Sequence, residues 1–366
     1  MQFKSNWAET RERFTAWWAH ESTGRPLLQL WTDRARPLEN PLPLVPYMND
    51  AERYLDVEKS LAHQMERLCT EEPLAEGYPV FSLDLGSGSL ALYLGSEPHF
   101  SADSLWFEPA LYGYDDRGSV HFDPNNRWFR RHLDMFARGK EVAEGTDAVL
   151  GIPDMIEHVD ILSALRGQTT FCYDLYDHPE QVRAALLKLN EHYKTCYDAF
   201  RAYCTDETGG SAFTIFSIWG HGRTAKIQCD ASAMISPAQF RDFALEPLRA
   251  QCQWLDNSLF HLDGPECICH VPALMEIEEL DAVQWTAGER HPPPGEECWY
   301  DLYRMIKDAD KGLWIALFDY APDVAVQKAD RLVRKFGAKG FYFLMPKMDR
   351  QDADALLIKA EREWKC

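Results

Sequence analysis

The chain of 366 residues is too long for one small core, so it suits either one large barrel or two modest domains. Its 58 Asp and Glu residues outnumber 38 Lys and Arg residues, and the resulting formal charge of −20 argues against nucleic acid or anionic lipid as a partner. No stretch approaches the ~20 apolar residues that a membrane helix needs, so no membrane association is expected.

The start of the sequence and its cysteines indicate the compartment. The first residues, MQFKSNWAETRERF, are polar and charged, whereas a secretory segment needs an apolar run. The 10 cysteines are spread along the chain without a Cys-x-x-Cys pair. We therefore predict reduced thiols and a cytoplasmic protein.

The first third of the chain alternates less regularly than the rest. Apolar spacing predicts helices and strands in the order helix 5–21, strand 27–31, helix 50–70, strand 78–86 and helix 122–139. An aromatic loop or hairpin is predicted around 104–122. The Gly-rich segment LGSGSLALYLG lacks the lysine and hydroxyl residue of a P-loop, which favours a simple turn into a helix.

From residue 147 onward, short apolar runs alternate with amphipathic segments. The predicted strands are 147–154, 211–220, 258–264, 281–288, 312–319 and 340–346, with helices between them. This pattern predicts a single domain over 1–366, an α/β (β/α)8 TIM barrel with an N-terminal helical extension and a hairpin or loop insertion. A doubly wound sheet would alternate in the same way, but its glycine fingerprint is missing.

The sequence Phe-His-Leu-Asp-Gly at 260–264 carries the strongest site prediction. In a strand, residues two apart point to the same side, so His261 and Asp263 project together from the carboxyl end. An imidazole beside a carboxylate can bind a divalent metal or transfer protons. The alternative interpretation is a core histidine followed by a carboxylate that caps a turn.

Other strand ends supply further candidates by the same rule. Asp84 is a candidate catalytic carboxylate, and Glu289 is a candidate third metal ligand or a solvated loop residue. The remaining candidates would form a substrate or cofactor pocket, and they are Trp219, His221, Arg223, Trp285, His270 and Lys347.

Six segments, taken in order, resemble the uroporphyrinogen decarboxylase superfamily, and most of all its methyltransferase-like, corrinoid-linked branch. They are RFTAWWAHESTGRPLLQL, LGSGSLALYLGSEPHF, IPDMIEHVDILSALRG, DLYDHPEQV, CDASAMISPAQFRDFALEPL and FHLDGPECICHVPALMEIEELDAVQWTAG. The resemblance covers nearly the whole chain and implies the (β/α)8 fold.

The residues that carry function in this superfamily are matched only in part. STGRPLLQLWTDR stands where the decarboxylases have an Arg-rich, carboxylate-binding stretch. The corrinoid-linked methyltransferases hold zinc through His-x-Cys and a later Cys near the last strand. Here the first motif reads His261-x-Asp263, and the second place reads LMPKM, so only the histidine matches.

Three functions are therefore kept open. The first is a methyltransferase-like enzyme that uses a corrinoid such as cobalamin, free or on a partner corrinoid protein, and acts on a small molecule. His261, Asp263 and Glu289 would hold zinc or another divalent metal, and Arg223 and Lys347 would bind an anionic group.

The second is a lyase that decarboxylates a tetrapyrrole or small acid through Asp84 or Asp263. The third is a non-catalytic barrel that binds a corrinoid or porphyrin. By analogy with the family, the protein is also expected to form a homodimer.

Overall fold

The computed structural model describes residues 1–101, 105–114 and 120–365. Its strands are β1 (Leu27–Asp33), β2 (Glu71–Ala75), β3 (Val80–Phe81), β4 (Pro98–Phe100), β5 (Leu105–Phe107), β6 (Val149–Ile152), β7 (Gly210–Phe213), β8 (Ile218–His221), β9 (Thr224–Gln228), β10 (Asn257–Asp263), β11 (Ala282–Thr286), β12 (Gly312–Ala316) and β13 (Phe341–Leu344).

α-Helices precede, connect and follow these strands. They are α1 (Trp7–Trp18), α2 (Asp50–Leu55), α3 (Val57–Thr70), α4 (Leu90–Tyr93), α5 (Arg127–Ala143), α6 (His158–Arg166), α7 (Gln168–Asp177), α8 (Pro179–Cys204), α9 (Pro237–Gln239), α10 (Leu245–Trp254), α11 (Val271–Leu274), α12 (Tyr300–Asp308), α13 (Pro322–Phe336) and α14 (Arg350–Glu363). None of these helices is long and apolar enough to cross a bilayer.

The strands form two main sheets. Seven strands pair in the order β2-β1-β13-β12-β11-β10-β9, and every pair is parallel except β2 with β1. Four more pair in the order β3-β6-β7-β8, of which β8 alone is antiparallel. The chain is thus an α/β protein with a parallel central sheet, and its hydrogen bonds within the described ranges do not close one continuous barrel.

The predicted insertion is present in part. Strands β4 and β5 form a small antiparallel hairpin, which begins earlier than the predicted segment 104–122. Residues 102–104 and 115–119 of this region lie outside the described residues. The predicted helix over 50–70 is interrupted at Asp56, whose extended backbone separates α2 from α3 and whose carboxylate caps α3.

Helix α1 covers the amino-terminal end of the sheets through its tryptophans. The Nε1 atom of Trp17 donates to the carbonyl of Gly340 at 3.0 Å, just before β13 begins. The Nε1 atom of Trp18 donates to the carbonyl of Trp219 at 2.8 Å. Because α1 occupies this end, a substrate site has access to the sheets from the carboxyl ends of the strands.

The predicted strand over 211–220 is wrong, because this segment is a hairpin. Strand β7 ends at Phe213, the chain reverses over 214–217, and β8 returns antiparallel. Side chains from other strands hold the turn: Tyr342 donates to the carbonyl of Ser217 at 2.7 Å, and Trp314 donates to that of Phe216 at 2.8 Å. The turn sequence Thr-Ile-Phe-Ser lacks the Gly, Pro and Asn residues that mark a reversal, so its apolar pattern resembles a continuous strand.

A buried histidine in α5 predicts a loss of stability in acid. The Nε2 atom of His132 lies 2.9 Å from the carbonyl of Leu83, and Nδ1 lies 2.5 Å from the Tyr93 hydroxyl. Burial lowers the pKa of His132 to about 4, from an ordinary value of 6.5. The unfolded chain therefore binds the extra proton first, and stability present above pH 6.5 is lost as the pH falls toward 4.

We expect this histidine to account for about 3 kcal/mol of the acid-dependent change in the free energy of unfolding. Urea unfolding of the wild type and of His132→Gln, measured between pH 7 and pH 4, tests the assignment. The variant should show the flatter pH dependence. Equal slopes for the two proteins would show that His132 does not titrate in this way.

Candidate functional site

Strand β10 presents the two candidate side chains, His261 and Asp263, to the same side of the sheet. Phe260 and Leu262 are buried against the helices, whereas His261 and Asp263 alternate with them and are half-buried. The structure places one ligand atom each of His261, Asp263 and Asp230 within 4.8 Å of one another. The predicted pair is thus joined by a carboxylate that follows the neighbouring strand β9.

A glutamine on the other neighbouring strand fixes the tautomer of His261. The Nε2 atom of Gln284 donates to the Thr286 hydroxyl at 2.8 Å, so its Oε1 atom faces His261 and accepts from Nδ1. This arrangement leaves the Nε2 atom of His261 as the acceptor nitrogen. Burial, followed by the positive charge of Lys226, lowers the pKa of His261, so the imidazole is neutral at neutral pH.

The surroundings of Asp230 disfavour the ionised form of its carboxyl group. Its Oδ2 atom accepts from the Nε2 atom of Gln228 at 2.8 Å, and its backbone N–H donates to Asp160 at 2.9 Å. Its Oδ1 atom is buried without a hydrogen-bond partner among the described residues. Burial, and then the charge of Asp160, raises the pKa of Asp230 to about 8. A bound cation would relieve this cost by stabilising the ionised carboxylate.

A buried lysine lies beneath the group. Lys226 is 0% exposed, its Nζ atom is 2.7 Å from an oxygen of Asp154, and it also donates to the side chain of Gln228. Burial lowers the pKa of Lys226, but the charges of Asp154 and Glu157 outweigh burial and raise it overall. The lysine is therefore a permanent cation among buried carboxylates.

Asp84 lies close to this lysine at the end of the segment that follows β3. Its Oδ2 atom accepts from the backbone N–H of Asp154 at 3.1 Å. Burial, and then the charge of Asp154, raises the pKa of Asp84 to about 7. It lines a cavity of about 330 Å³ together with Ser82 and Ile215. A carboxyl group that titrates near neutrality beside a cavity is suited to proton transfer.

A second cavity of about 380 Å³ reaches the group from the side of α6. Polar side chains of Asp160, Ser163, Gln228 and Asp230 line it, together with apolar ones such as Met234. Asp230 therefore connects the histidine-carboxylate group to a space that accommodates a small molecule.

The two tryptophans predicted to wall the pocket lie elsewhere. Trp285 follows the inward-facing Gln284 by one residue, so it faces the helices and packs on Trp299 with ring centroids 4.9 Å apart. Trp219 lies in the reversed strand β8, is fully buried, and donates to Asp206 at 3.0 Å.

His221 and Arg223 lie at the opposite end of the sheet from His261. Because β8 runs antiparallel, His221 at its end is near the start of the parallel strands. Arg223 precedes β9, its Nε atom is 3.2 Å from Asp198, and its backbone N–H donates to Asp256 at 2.8 Å. The predicted anion contact of Arg223 therefore has no geometric support at the mouth.

The last three predicted residues differ in their surroundings. His270 is buried, stacks on Phe240 with centroids 4.5 Å apart, and its Nε2 atom lies 2.9 Å from the carbonyl of Ser232. Glu289 lies exposed on the turn after β11 and is not a member of the group formed by Asp230, His261 and Asp263. Lys347 follows β13 and pairs with two carboxylates at 2.6 and 2.8 Å, which neutralise its charge.

The sequence analysis missed three residues of this site, Lys226, Gln228 and Asp230. It placed a strand at 211–220 and none at Thr224–Gln228, where β9 lies. The segment TAKIQCD has an apolar alternation and an acidic residue at its carboxyl end, the same signal that identified His261 and Asp263. Gln284 also carried a signal, since it is a polar residue in an otherwise apolar run.

Comparison with known proteins adds a structural relationship. No family model matches the chain, and no curated protein matches it in sequence. A solved structure, the methyltransferase from Methanosarcina mazei, superposes with a TM-score of 0.59 over 97% of this chain and 98% of that one. The two chains share a fold. Their sequence identity is 12%, so the superposition establishes architecture over the full length, and membership of the superfamily named above stays a prediction.

Proposed function

We propose that this protein is a metal-dependent, methyltransferase-like enzyme that acts on a small molecule at the carboxyl ends of its parallel strands. The observation that carries the proposal is the convergence of Asp230, His261 and Asp263 within 4.8 Å. The full-length likeness to a methyltransferase supports the class of enzyme. We also propose that the two sheets together form one barrel of the TIM type, since β7 of one sheet contacts β9 of the other.

The residues of the group fit a divalent cation. His261 offers a neutral Nε2 atom, Asp230 offers a buried oxygen that lacks a partner within the described chain, and Asp263 adds a second carboxylate. One imidazole and two carboxylates suit Zn²⁺ or a harder cation such as Mn²⁺. When bound, such a cation supplies Lewis acidity that activates a thiol or water at neutral pH.

The other residues of the site would bind and orient the substrate. Three protein ligands leave room for a heteroatom of the substrate, and Gln284 keeps the imidazole in the required tautomer. Asp84, with a pKa of about 7, would hold or release a proton toward the adjacent cavity. A corrinoid, either free or carried by a partner protein, is the proposed methyl carrier.

Metal loading combined with a methyl-transfer assay tests this function. We expect the wild type to bind Zn²⁺ or Mn²⁺ in a 1:1 ratio and to demethylate methylcobalamin in the presence of a small thiol. Asp230→Asn should lose both properties, because the amide lacks the charge that balances the metal. Asp308→Asn, the same change at an exposed position at the end of α12, is the matched control and should keep both. A wild-type protein without stoichiometric metal would contradict the proposal.

Asp84 favours a second candidate, a decarboxylase. A carboxyl group that is protonated near pH 7 can donate to an intermediate, as decarboxylation requires. The negative charge of the neighbouring Asp154 disfavours a substrate with many carboxylates. Release of carbon dioxide from a tetrapyrrole or small acid, without methyl transfer, would favour this candidate. Binding of cobalamin or porphyrin without turnover would instead favour a binding protein.

A further inference from the structure

We propose that Lys226 and Gln228 are positioning residues that orient Asp230 for the metal. The inference rests on the metal site proposed above, and it concerns the residues that orient one of its ligands. The two residues lie on the same face of β9, two positions apart, and both are buried.

A chain of hydrogen bonds leads from Lys226 through Gln228 to the proposed ligand Asp230. The Nζ atom of Lys226 contacts Asp154 at 2.7 Å and donates to the Oε1 atom of Gln228. The Nε2 atom of Gln228 donates to Asp230 at 2.8 Å and to Asp160 at 2.9 Å. Both hydrogens of the amide are thereby used on carboxylates.

The lysine decides which way the glutamine amide faces. An ammonium group only donates hydrogen bonds, so the amide oxygen must point at Lys226 and the NH₂ group must point away from it. The NH₂ group then holds the Oδ2 atom of Asp230. The Oδ1 atom remains without a hydrogen bond in the described part of the chain, and it is the oxygen left for a metal.

Asp160 holds the backbone of the same ligand. One of its oxygens accepts from the N–H of Asp230 at 2.9 Å, and the other accepts from that of Ala231 at 2.8 Å. Gln228 therefore bridges the side chain of Asp230 to the residue that anchors its backbone. The arrangement leaves Asp230 little freedom to turn its carboxylate away from His261.

A role in positioning explains why a lysine occupies a fully buried place. Burying an ion pair carries a large desolvation cost, and apolar residues of the same volume are often at least as stabilising. Lys226 and Asp154 are 0% and 3% exposed, so solubility and surface charge do not account for them. What the lysine adds is a donor at the end of a hydrogen-bond chain that leads to a metal ligand.

The test measures Co²⁺ affinity and the visible spectrum of bound Co²⁺, neither of which requires knowledge of the substrate. For Gln228→Met we expect the Kd for Co²⁺ to rise by about 10- to 100-fold, as for other residues that support a metal ligand. The Co²⁺ spectrum should also change, because it depends on ligand number and geometry. Lys226→Met should produce the same two changes.

Controls separate positioning from loss of fold. Lys311→Met removes another buried lysine, whose Nζ atom donates to the carbonyl of Glu278 far from the group, and it should leave the Kd unchanged. Circular dichroism establishes folding of each variant, and Gln228→Met keeps the Lys226–Asp154 pair if Lys226→Met does not fold. A folded Gln228→Met protein with wild-type Kd and spectrum would overturn the inference and leave the metal site intact. A wild type that binds no Co²⁺, Zn²⁺ or Mn²⁺ would overturn both.

Discussion

Replacing His261 with alanine is expected to lower metal affinity by at least about 100-fold, more than the loss of a residue that only supports a ligand. His261 contributes the nitrogen of the proposed site, and its removal leaves two carboxylates, Asp230 and Asp263, to hold the cation alone. Elemental analysis after dialysis against a fixed free-metal concentration measures the effect, and methyl transfer should be lost together with the metal.

The matched control for this change is His221→Ala. His221 is an exposed histidine at the opposite end of the sheet, so its loss should leave metal content at the wild-type level. Thermal unfolding of His261→Ala checks that the fold survives. Retention of stoichiometric metal by folded His261→Ala would rule out this group as the metal site and would leave acid–base chemistry at Asp84 as the better hypothesis.

Two of the three proposed ligands could be predicted from sequence, for a physical reason. The spacing of His261 and Asp263 fixes their common direction in any strand, whatever the strand packs against. Their position just before a glycine also indicated a strand end. The third ligand, Asp230, follows a strand that the prediction over 211–220 misplaced, although the local pattern of β9 resembles that of β10.

Errors about the aromatic residues have a different origin. A strand exposes alternate residues to its two faces, so an error of one position moves a side chain from the mouth to the helix layer. Trp285 illustrates this, because its neighbour Gln284 takes the inward place and bonds His261. The polar Gln284 marks the inward face of β11, and Trp285, as its neighbour, therefore faces the helices.

The two lysines of this region, Lys347 and Lys226, show that the sequence does not reveal which carboxylates a lysine will contact. Lys347 was expected to bind an anionic group, but Asp33 and Glu71 neutralise it. Lys226 was not among the predicted site residues, yet its charge acts on the buried carboxyl groups of Asp84, Glu157 and Asp230. Both outcomes depend on distances between residues that are far apart in the sequence.

The hairpin formed by β7 and β8 links the fold to the site. Its turn is held by Tyr342 and Trp314, and Phe216 within that turn contacts the ring of His261 with centroids 5.0 Å apart. The other end of the hairpin reaches the opposite side of the sheet, where Trp219 meets α1. Displacement of this hairpin would therefore affect both the core and the floor of the site.

Trp219→Ala is accordingly expected to lower the free energy of unfolding by about 3–5 kcal/mol, the range for removing a fully buried aromatic side chain. The indole is 0% exposed, lies beside the ring of Trp7 and the guanidinium of Arg11, and donates to Asp206. Its removal creates a cavity and leaves that carboxylate with one donor fewer.

Denaturant unfolding of Trp219→Ala and of Trp106→Ala tests this expectation with one chemical change at two sites. Trp106, in the hairpin of β4 and β5, is 55% exposed, so its loss should cost less than about 1 kcal/mol. If the two substitutions lower the free energy of unfolding by similar, small amounts, the hairpin of β7 and β8 does not form part of the core. A large cost at Trp219 alone, together with weakened metal binding in the folded protein, would show that the hairpin supports His261 from beneath through Phe216.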